Sequence, residues 1–184
     1  EAHTKFPMSL AQLIQKERIS IWYSVPVALM QLTNLPNFGE MNMDSIRWVL
    51  FAGETYPTPQ LKLLMQYWPQ AQFSNVYGPA EVNQCTYYTV PKDLSEDKAV
   101  PLGRIWPNTE MLILDDADQP VTGDTIGKLL IHSATMMYGY WNNATLNEKA
   151  FYIPEQPNMK NYQKRYFRTG DLVCMHADGD MRFF

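Results

Sequence analysis

Seven consecutive residues, Asn75-Val76-Tyr77-Gly78-Pro79-Ala80-Glu81, put an amide, a phenol ring and a carboxylate around a Gly-Pro dipeptide. Gly-Pro interrupts regular structure, so Tyr77 and Glu81 are expected on or beside an irregular segment, where binding residues concentrate. The ring offers a face on which a purine can stack, the Asn75 amide reads donor and acceptor edges, and the Glu81 carboxylate can hold a hard cation. The same residues also fit an ordinary turn with a capping glutamate, and the stretch alone does not choose between the two.

Other side chains could complete such a site. Gly53 lacks a Cβ and sits at the end of an apolar run, so a ligand can approach its backbone closely, although a glycine there also simply turns the chain. Thr169-Gly170-Asp171 puts a carboxylate just past a glycine, where it could accept both hydroxyls of a ribose or sit on a surface turn. Arg104 has two options, a phosphate or a neighbouring acid, and the second is the more frequent in proteins. His3, His132 and His176 have no metal-ligand spacing with the cysteines and read as surface or packing residues. Gly-x-Ser-x-Gly, P-loop and Gly-x-Gly-x-x-Gly fingerprints are absent from the sequence. Met136 to Trp141 (MMYGYW) reads as an apolar strand entering the core and ending at a glycine turn.

These residues need a scaffold. Ser9–Arg18 carries apolar Leu10, Leu13 and Ile14 at helical spacing with Ser9 placed as a cap, and Ile19–Ser24 follows as a buried strand. Pro26 opens a second helix that Pro36 ends; Asp44–Ala52 repeats the strand; Pro59–Trp68 forms a third helix stopped by Pro69; Phe73–Tyr77 is a further strand. Strands alternating with helices of this length imply βαβ units and a parallel sheet, whose ligands bind beyond the strands' carboxyl ends. Gly53 and the 75–81 stretch fall there.

After Pro91 the texture changes. Lys92–Lys98 is a charged link, and beyond it Glu110–Leu114 and Lys128–His132 are strands joined by a turn-rich connection. Ala144–Ala150 is a short helix and Pro154–Lys164 a polar loop. Tyr166–Phe184 reads as strand, Thr-Gly-Asp turn, strand, Asp-Gly turn, strand. The expected fold class is therefore α/β: a parallel βαβ part, residues 1–98, followed by a smaller antiparallel barrel-like part, residues 99–184.

Composition narrows the partners. With 184 residues, 46% of them hydrophobic, the chain can bury a core, and a net charge of -4 without a basic cluster argues against nucleic acid. No apolar run reaches the roughly 18 residues that a membrane span needs. Cys85 and Cys174 read as reduced thiols of a cytoplasmic protein. The chain opens without Met and stops on an apolar strand, which suggests a piece of a longer polypeptide.

Taken in order, AGE, NVYGPAE, GR, GKLLIHSATMMYGYW, YFRTGDL and ADGDMRFF resemble the adenylate-forming superfamily, most closely the adenylation domains of nonribosomal peptide synthetases. The resemblance covers essentially the whole chain and implies an amino-acid adenylating ligase. In that reaction a carboxylate attacks the α-phosphate of ATP, pyrophosphate leaves, and the aminoacyl-adenylate passes to the phosphopantetheine thiol of a carrier protein. By position, Tyr77 would stack on adenine, Asn75 would contact its amino edge, and Val76, Gly78 and Ala80 would line the nucleotide. Glu81 would hold Mg²⁺, Asp171 would take the ribose hydroxyls, Phe183 would pack beside the nucleoside, and Gly53 would lie along adenine and the substrate carboxylate. Ala80 departs from the usual Thr, a hydroxyl worth about 1 kcal/mol as one hydrogen bond. Lys128 replaces a usual Glu at what reads as a surface position. The phosphate loop, hinge and C-terminal lysine that the resemblance calls for are absent from these residues, so this piece alone is expected to bind nucleotide weakly and turn over poorly.

Six positions correspond to the substrate pocket of that family: Tyr23, Leu50, Ala52, Val76, Gln84 and Cys85. Tyr, Leu, Ala and Cys there look like the pocket of stand-alone prolyl-adenylating enzymes, so proline or a similar small amino acid is the expected substrate; Gln84 stands where that pattern has an aliphatic residue, and its amide could select a more polar one. An acyl- or aryl-CoA ligase of the same superfamily, and a non-catalytic fragment using this fold, remain open.

Overall fold

The computed structural model describes residues 6–95, 98–154 and 164–184, so most of the polar loop expected from Pro154 to Lys164 lies outside the described residues. Two compact units form: residues 1–76 with 88–100, and residues 77–87 with 101–184.

In the first unit three strands, β1 (Ile21–Ser24), β2 (Trp48–Phe51) and β3 (Gln72–Tyr77, its last residue grouped with the second unit), run parallel. They alternate with helices α1 (Pro7–Lys16), α2 (Pro26–Thr33) and α3 (Thr58–Tyr67). Prolines set the helix starts. Pro7 and Pro26 occupy the first turn, where a missing N–H costs nothing, and the preceding Phe6 and Val25 are extended, as a residue before proline must be. Ser9 therefore lies inside α1 and does not cap it; that expectation fails because Pro7 nucleates the helix two residues earlier.

Leu10, Ala11 and Ile14 of α1, Leu29 and Leu32 of α2, and Leu61, Leu64 and Met65 of α3 are buried in one cluster with Val49, Phe51 and Phe73. Each such side chain removed from water stabilises the fold by roughly 1.5–3 kcal/mol. All three strands present the same face to these helices, because right-handed crossovers through strands in sequential order place both crossover helices on one side. The opposite face carries Ile21 and Tyr23 at 58% and 54% exposure. The expectation of a buried first strand is thus corrected: only alternate residues of β1 meet the core.

The second unit is antiparallel. Strands β6 (Thr109–Leu114), β7 (Gly127–Ser133), β9 (Tyr166–Met175) and β10 (Met181–Phe183) pair in the order β10-β9-β7-β6, and β8 (Phe151–Tyr152) pairs with β9. This is a barrel-like sheet left open at its edges. Thr86 and Tyr87, the first residues of β4 (Thr86–Thr89), pair with β5 (Arg104–Ile105). Helix α4 (Ala144–Ala150) starts with the Asn143 side chain accepting from the Leu146 N–H, a conventional cap. Leu129, Ile131, Phe167, Val173 and Met181 form the core with Val82 and Cys85.

Two expectations change here. Thr169-Gly170-Asp171 is no turn between strands but part of one continuous strand, β9. Met136–Trp141 is no strand; Met136, Met137 and Tyr140 pack on the core while Tyr138 and Trp141 stand 94% and 91% exposed. The stretch is a loop that turns at Gly139 (φ +154°), so its apolar residues divide between core and solvent.

Among the described residues no helix is long and apolar enough to cross a membrane.

Candidate functional site

Between Lys128 and Leu130 of β7 the pairing with β9 loses register: Lys128 faces Leu172, whereas Leu130 faces Arg168. Residues 169–171 stand against Leu129 alone, two more than an even ladder would have, and form a bulge that bends β9 and lifts Asp171 out of the ladder. Gly170 makes it possible, with φ +84° and open space where a Cβ would stand, so backbone conformation rather than crowding requires glycine. Thr169 locks the bulge from inside. Its hydroxyl donates to the Leu129 carbonyl (2.9 Å) and accepts from the Asp171 N–H (3.1 Å).

Asp171 so placed accepts a short hydrogen bond from the Tyr77 hydroxyl. Burial, and after it the Asp171 hydrogen bond and charge, hold the Tyr77 phenol far above its usual pKa, so it stays a donor at every physiological pH. A carboxylate has about four acceptor positions, so Asp171 can bind Tyr77 and still receive a diol. The half-buried ring and the carboxylate, 94 residues apart in sequence, make one polar-aromatic corner.

The loop from Tyr77 to Cys85 is closed by the Cys85 N–H donating to the Tyr77 carbonyl (2.7 Å) and the Val82 N–H to that of Pro79 (3.1 Å). Gly78 packs so tightly that a Cβ there would meet the Asn83 carbonyl oxygen at 1.6 Å. Ala80 is exposed on this loop, and Glu81 and Gln84 are half-buried. The Glu81 carboxylate accepts from the Tyr140 hydroxyl at 2.8 Å. Among the described residues no three His, Cys, Asp or Glu cluster as a metal cage. A single carboxylate on a loop suits Mg²⁺, which keeps water and phosphate ligands and takes one or two protein oxygens.

Cys85 is fully buried, and burial pushes its thiol up to about 12. Cys174 is buried as well, and both cysteines are free. Iodoacetamide at pH 8 is expected to alkylate Cys85 roughly 1,000-fold more slowly than a free thiol, because the thiolate fraction falls in that proportion. Peptide mapping of the alkylated protein checks this; rapid labelling of Cys85 would show an open, ionised thiol.

Phe183 lies on β10 opposite Val173 and is 55% exposed. Arg104 pairs with Asp180 (3.3 Å) and reaches the Asp178 carbonyl, the more frequent of its two expected options. Lys128 bridges Asp116 at 2.7 Å on the surface, a pair worth little.

The remaining candidates belong to the first unit. Tyr23 and Leu50 are register partners, Leu50 faces Ser74, Val76 follows two residues further along β3, and Ala52 is the first residue past β2. Side chains alternate along a strand, so Tyr23, Leu50, Ala52 and Val76 share the sheet face that carries no helix of this unit. Ala52 and Val76 are buried there. Asn75 sits opposite Phe51, on the other face. Gly53 follows β2 with φ +92° and packs near Val25, while the Glu54 carboxylate accepts from the Val27 N–H (3.1 Å).

Sequence reasoning missed Tyr140, Asn147 and Thr135. The only signal was the Gly-Tyr pair inside MMYGYW, which aromatic composition alone assigns to packing.

A family model described as AMP-binding enzyme matches residues 1–141. The chain is 36% identical over 182 residues to L-proline--(L-prolyl-carrier protein) ligase of Streptomyces coelicolor, covering 97% of this chain and 32% of that protein. It is 27% identical over 169 residues to the mitochondrial medium-chain acyl-CoA ligase ACSF2 of Macaca fascicularis, covering 91% and 26%. Among solved structures it shares the fold of PA1221, a nonribosomal peptide synthetase protein containing adenylation and PCP domains, with a TM-score of 0.81 at 24% identity, over 97% of this chain and 35% of that one. The chain thus spans about a quarter to a third of the length of these curated relatives.

Proposed function

The chain belongs to the AMP-binding enzyme family, and from that premise we propose that it serves the ATP-dependent activation of an amino acid and its transfer to a carrier-protein thiol. The observation that carries this reading is the corner formed by Asp171 of β9 and Tyr77, which begins the loop that also holds Glu81. An aromatic face, a carboxylate able to take a ribose diol and a second carboxylate for a cation are what a nucleotide triphosphate requires.

In the proposed reaction a substrate carboxylate oxygen bonds to the α-phosphorus of ATP, the bond to the β-phosphate oxygen breaks, and pyrophosphate departs. The carrier thiolate then attacks the acyl carbon and AMP leaves. Tyr77 would stack on the base, Asp171 would orient the ribose, Asn75 would read the adenine edge, and Val76, Gly78 and Ala80 would line the nucleotide. Gly53 would flank the substrate, and Phe183 would pack beside the nucleoside. Glu81 would hold Mg²⁺, whose positive charge neutralises the phosphate oxygens as charge shifts to the leaving group. The face shared by Tyr23, Leu50, Ala52 and Val76 would receive the substrate side chain. Its small, mostly apolar character supports proline or a similar amino acid. We place the protein in the cytoplasm, where buried free thiols stay reduced.

A second reading, an acyl-CoA ligase, is favoured by the likeness to a medium-chain acyl-CoA ligase. Pyrophosphate exchange by the full-length protein with a panel of amino and fatty acids separates the two. Exchange with proline is expected; exchange with fatty acids alone would favour the second reading, and none with any acid would sink both.

A further inference from the structure

The loop after β7 is fastened to the 77–85 loop at three points. The Met137 N–H donates to the Glu81 carbonyl (2.7 Å) and the Thr135 hydroxyl to the Val82 carbonyl (2.7 Å). The third contact, from the Tyr140 hydroxyl, goes to the Glu81 side chain. The first two already hold the backbone of the turn. The third adds nothing to that task, but it chooses the direction of the carboxylate.

Tyr140 is itself held. The Asn147 side chain on α4 accepts from the Tyr140 N–H (2.7 Å) and donates to the Tyr140 carbonyl (3.0 Å), gripping both backbone groups of one residue. Gly139 leaves room for that grip, since a Cβ there would stand 2.8 Å from the Asn147 side-chain oxygen. A neutral amide therefore fixes a neutral phenol, which fixes an acid that would otherwise turn freely about its side-chain bonds.

We infer that Tyr140, clamped by Asn147, is a positioning residue that aims the Glu81 carboxylate at the nucleotide-borne cation. The inference rests on reading Glu81 as the cation-holding residue. Asn147 acts one step further away, through the Tyr140 backbone alone.

The test uses the full-length protein carrying Tyr140→Phe, Asn147→Ala or Glu81→Gln. Two quantities are read: the Mg²⁺ concentration giving half-maximal pyrophosphate exchange, and the affinity for Mn²⁺ by electron paramagnetic resonance in the presence of a non-hydrolysable ATP analogue. Loss of one hydrogen bond to a charged group predicts that Tyr140→Phe raises the half-maximal Mg²⁺ and weakens Mn²⁺ binding about 10-fold or more. The amino-acid KM should stay within about 2-fold and the melting temperature should barely move. Asn147→Ala should shift the metal readouts in the same direction. Wild-type metal behaviour in Tyr140→Phe, alongside a shift in Glu81→Gln, would overturn the positioning role and leave Glu81 in place. Equal losses in metal, amino-acid and thermal readouts would overturn it too, since they would mark a merely structural contact. No shift in Glu81→Gln would instead remove Glu81 from the metal, which is a failure of the functional reading itself.

Discussion

Gly78→Ala is expected to cost at least about 3 kcal/mol of stability and to abolish measurable ATP binding. The new Cβ would lie 1.6 Å from the Asn83 carbonyl oxygen, 2.6 Å from its carbon and 3.0 Å from the Cys85 nitrogen, all of them backbone atoms. No rotamer relieves a clash with main chain, so the loop must open. Opening breaks the Cys85-to-Tyr77 hydrogen bond and releases Val82, buried in the core beneath. Tyr77 and Glu81 flank the damaged position and lose their places together. Urea denaturation and nucleotide titration of the full-length protein check this; a variant within about 1 kcal/mol of wild type that still binds ATP would show that the loop can yield.

Asp171→Ala is expected to raise the KM for ATP about 10- to 100-fold, the worth of one or two hydrogen bonds to a charged acceptor, with the amino-acid KM little changed. Part of any effect comes from Tyr77, whose buried hydroxyl would lose its acceptor. Asp171→Asn separates the two contributions: it keeps an oxygen for Tyr77 but loses the charge and one acceptor for the ribose. A KM between wild type and the alanine variant is expected. An unchanged KM for ATP in Asp171→Ala would remove Asp171 from the ribose role.

The outcomes of both substitutions depend on features with different visibility in the sequence. Gly78-Pro79 announces an irregular segment by itself, because proline and glycine act through their own backbone restrictions. That Gly78 is wedged against Asn83 is invisible there, since it depends on how the loop closes. The helix start at Pro26 was legible for the same local reason, whereas the first helix, read from Ser9, begins two residues earlier at Pro7. Alternation of helix and strand implied the parallel order that β1, β2 and β3 adopt. The burial of β1 was misjudged, because an apolar strand reads the same whether one face or two are covered.

Thr169-Gly170-Asp171 teaches the same lesson from the other side. A positive-φ glycine is compatible with a turn or with a bulge, and only pairing with β7 decides which. Once the bulge forms, Asp171 leaves the ladder and meets Tyr77.

Sequence alone determined the local part: residue chemistry, helix boundaries, strand alternation and the order of motifs that marks the family. These follow from preferences acting over a few neighbouring residues. Tertiary structure alone decided which groups meet, the Tyr77–Asp171 bond across 94 residues and the Tyr140–Glu81 bond across 59. Contacts of that range are set by strand register and loop closure, and neither leaves a mark in the spacing of the residues they join.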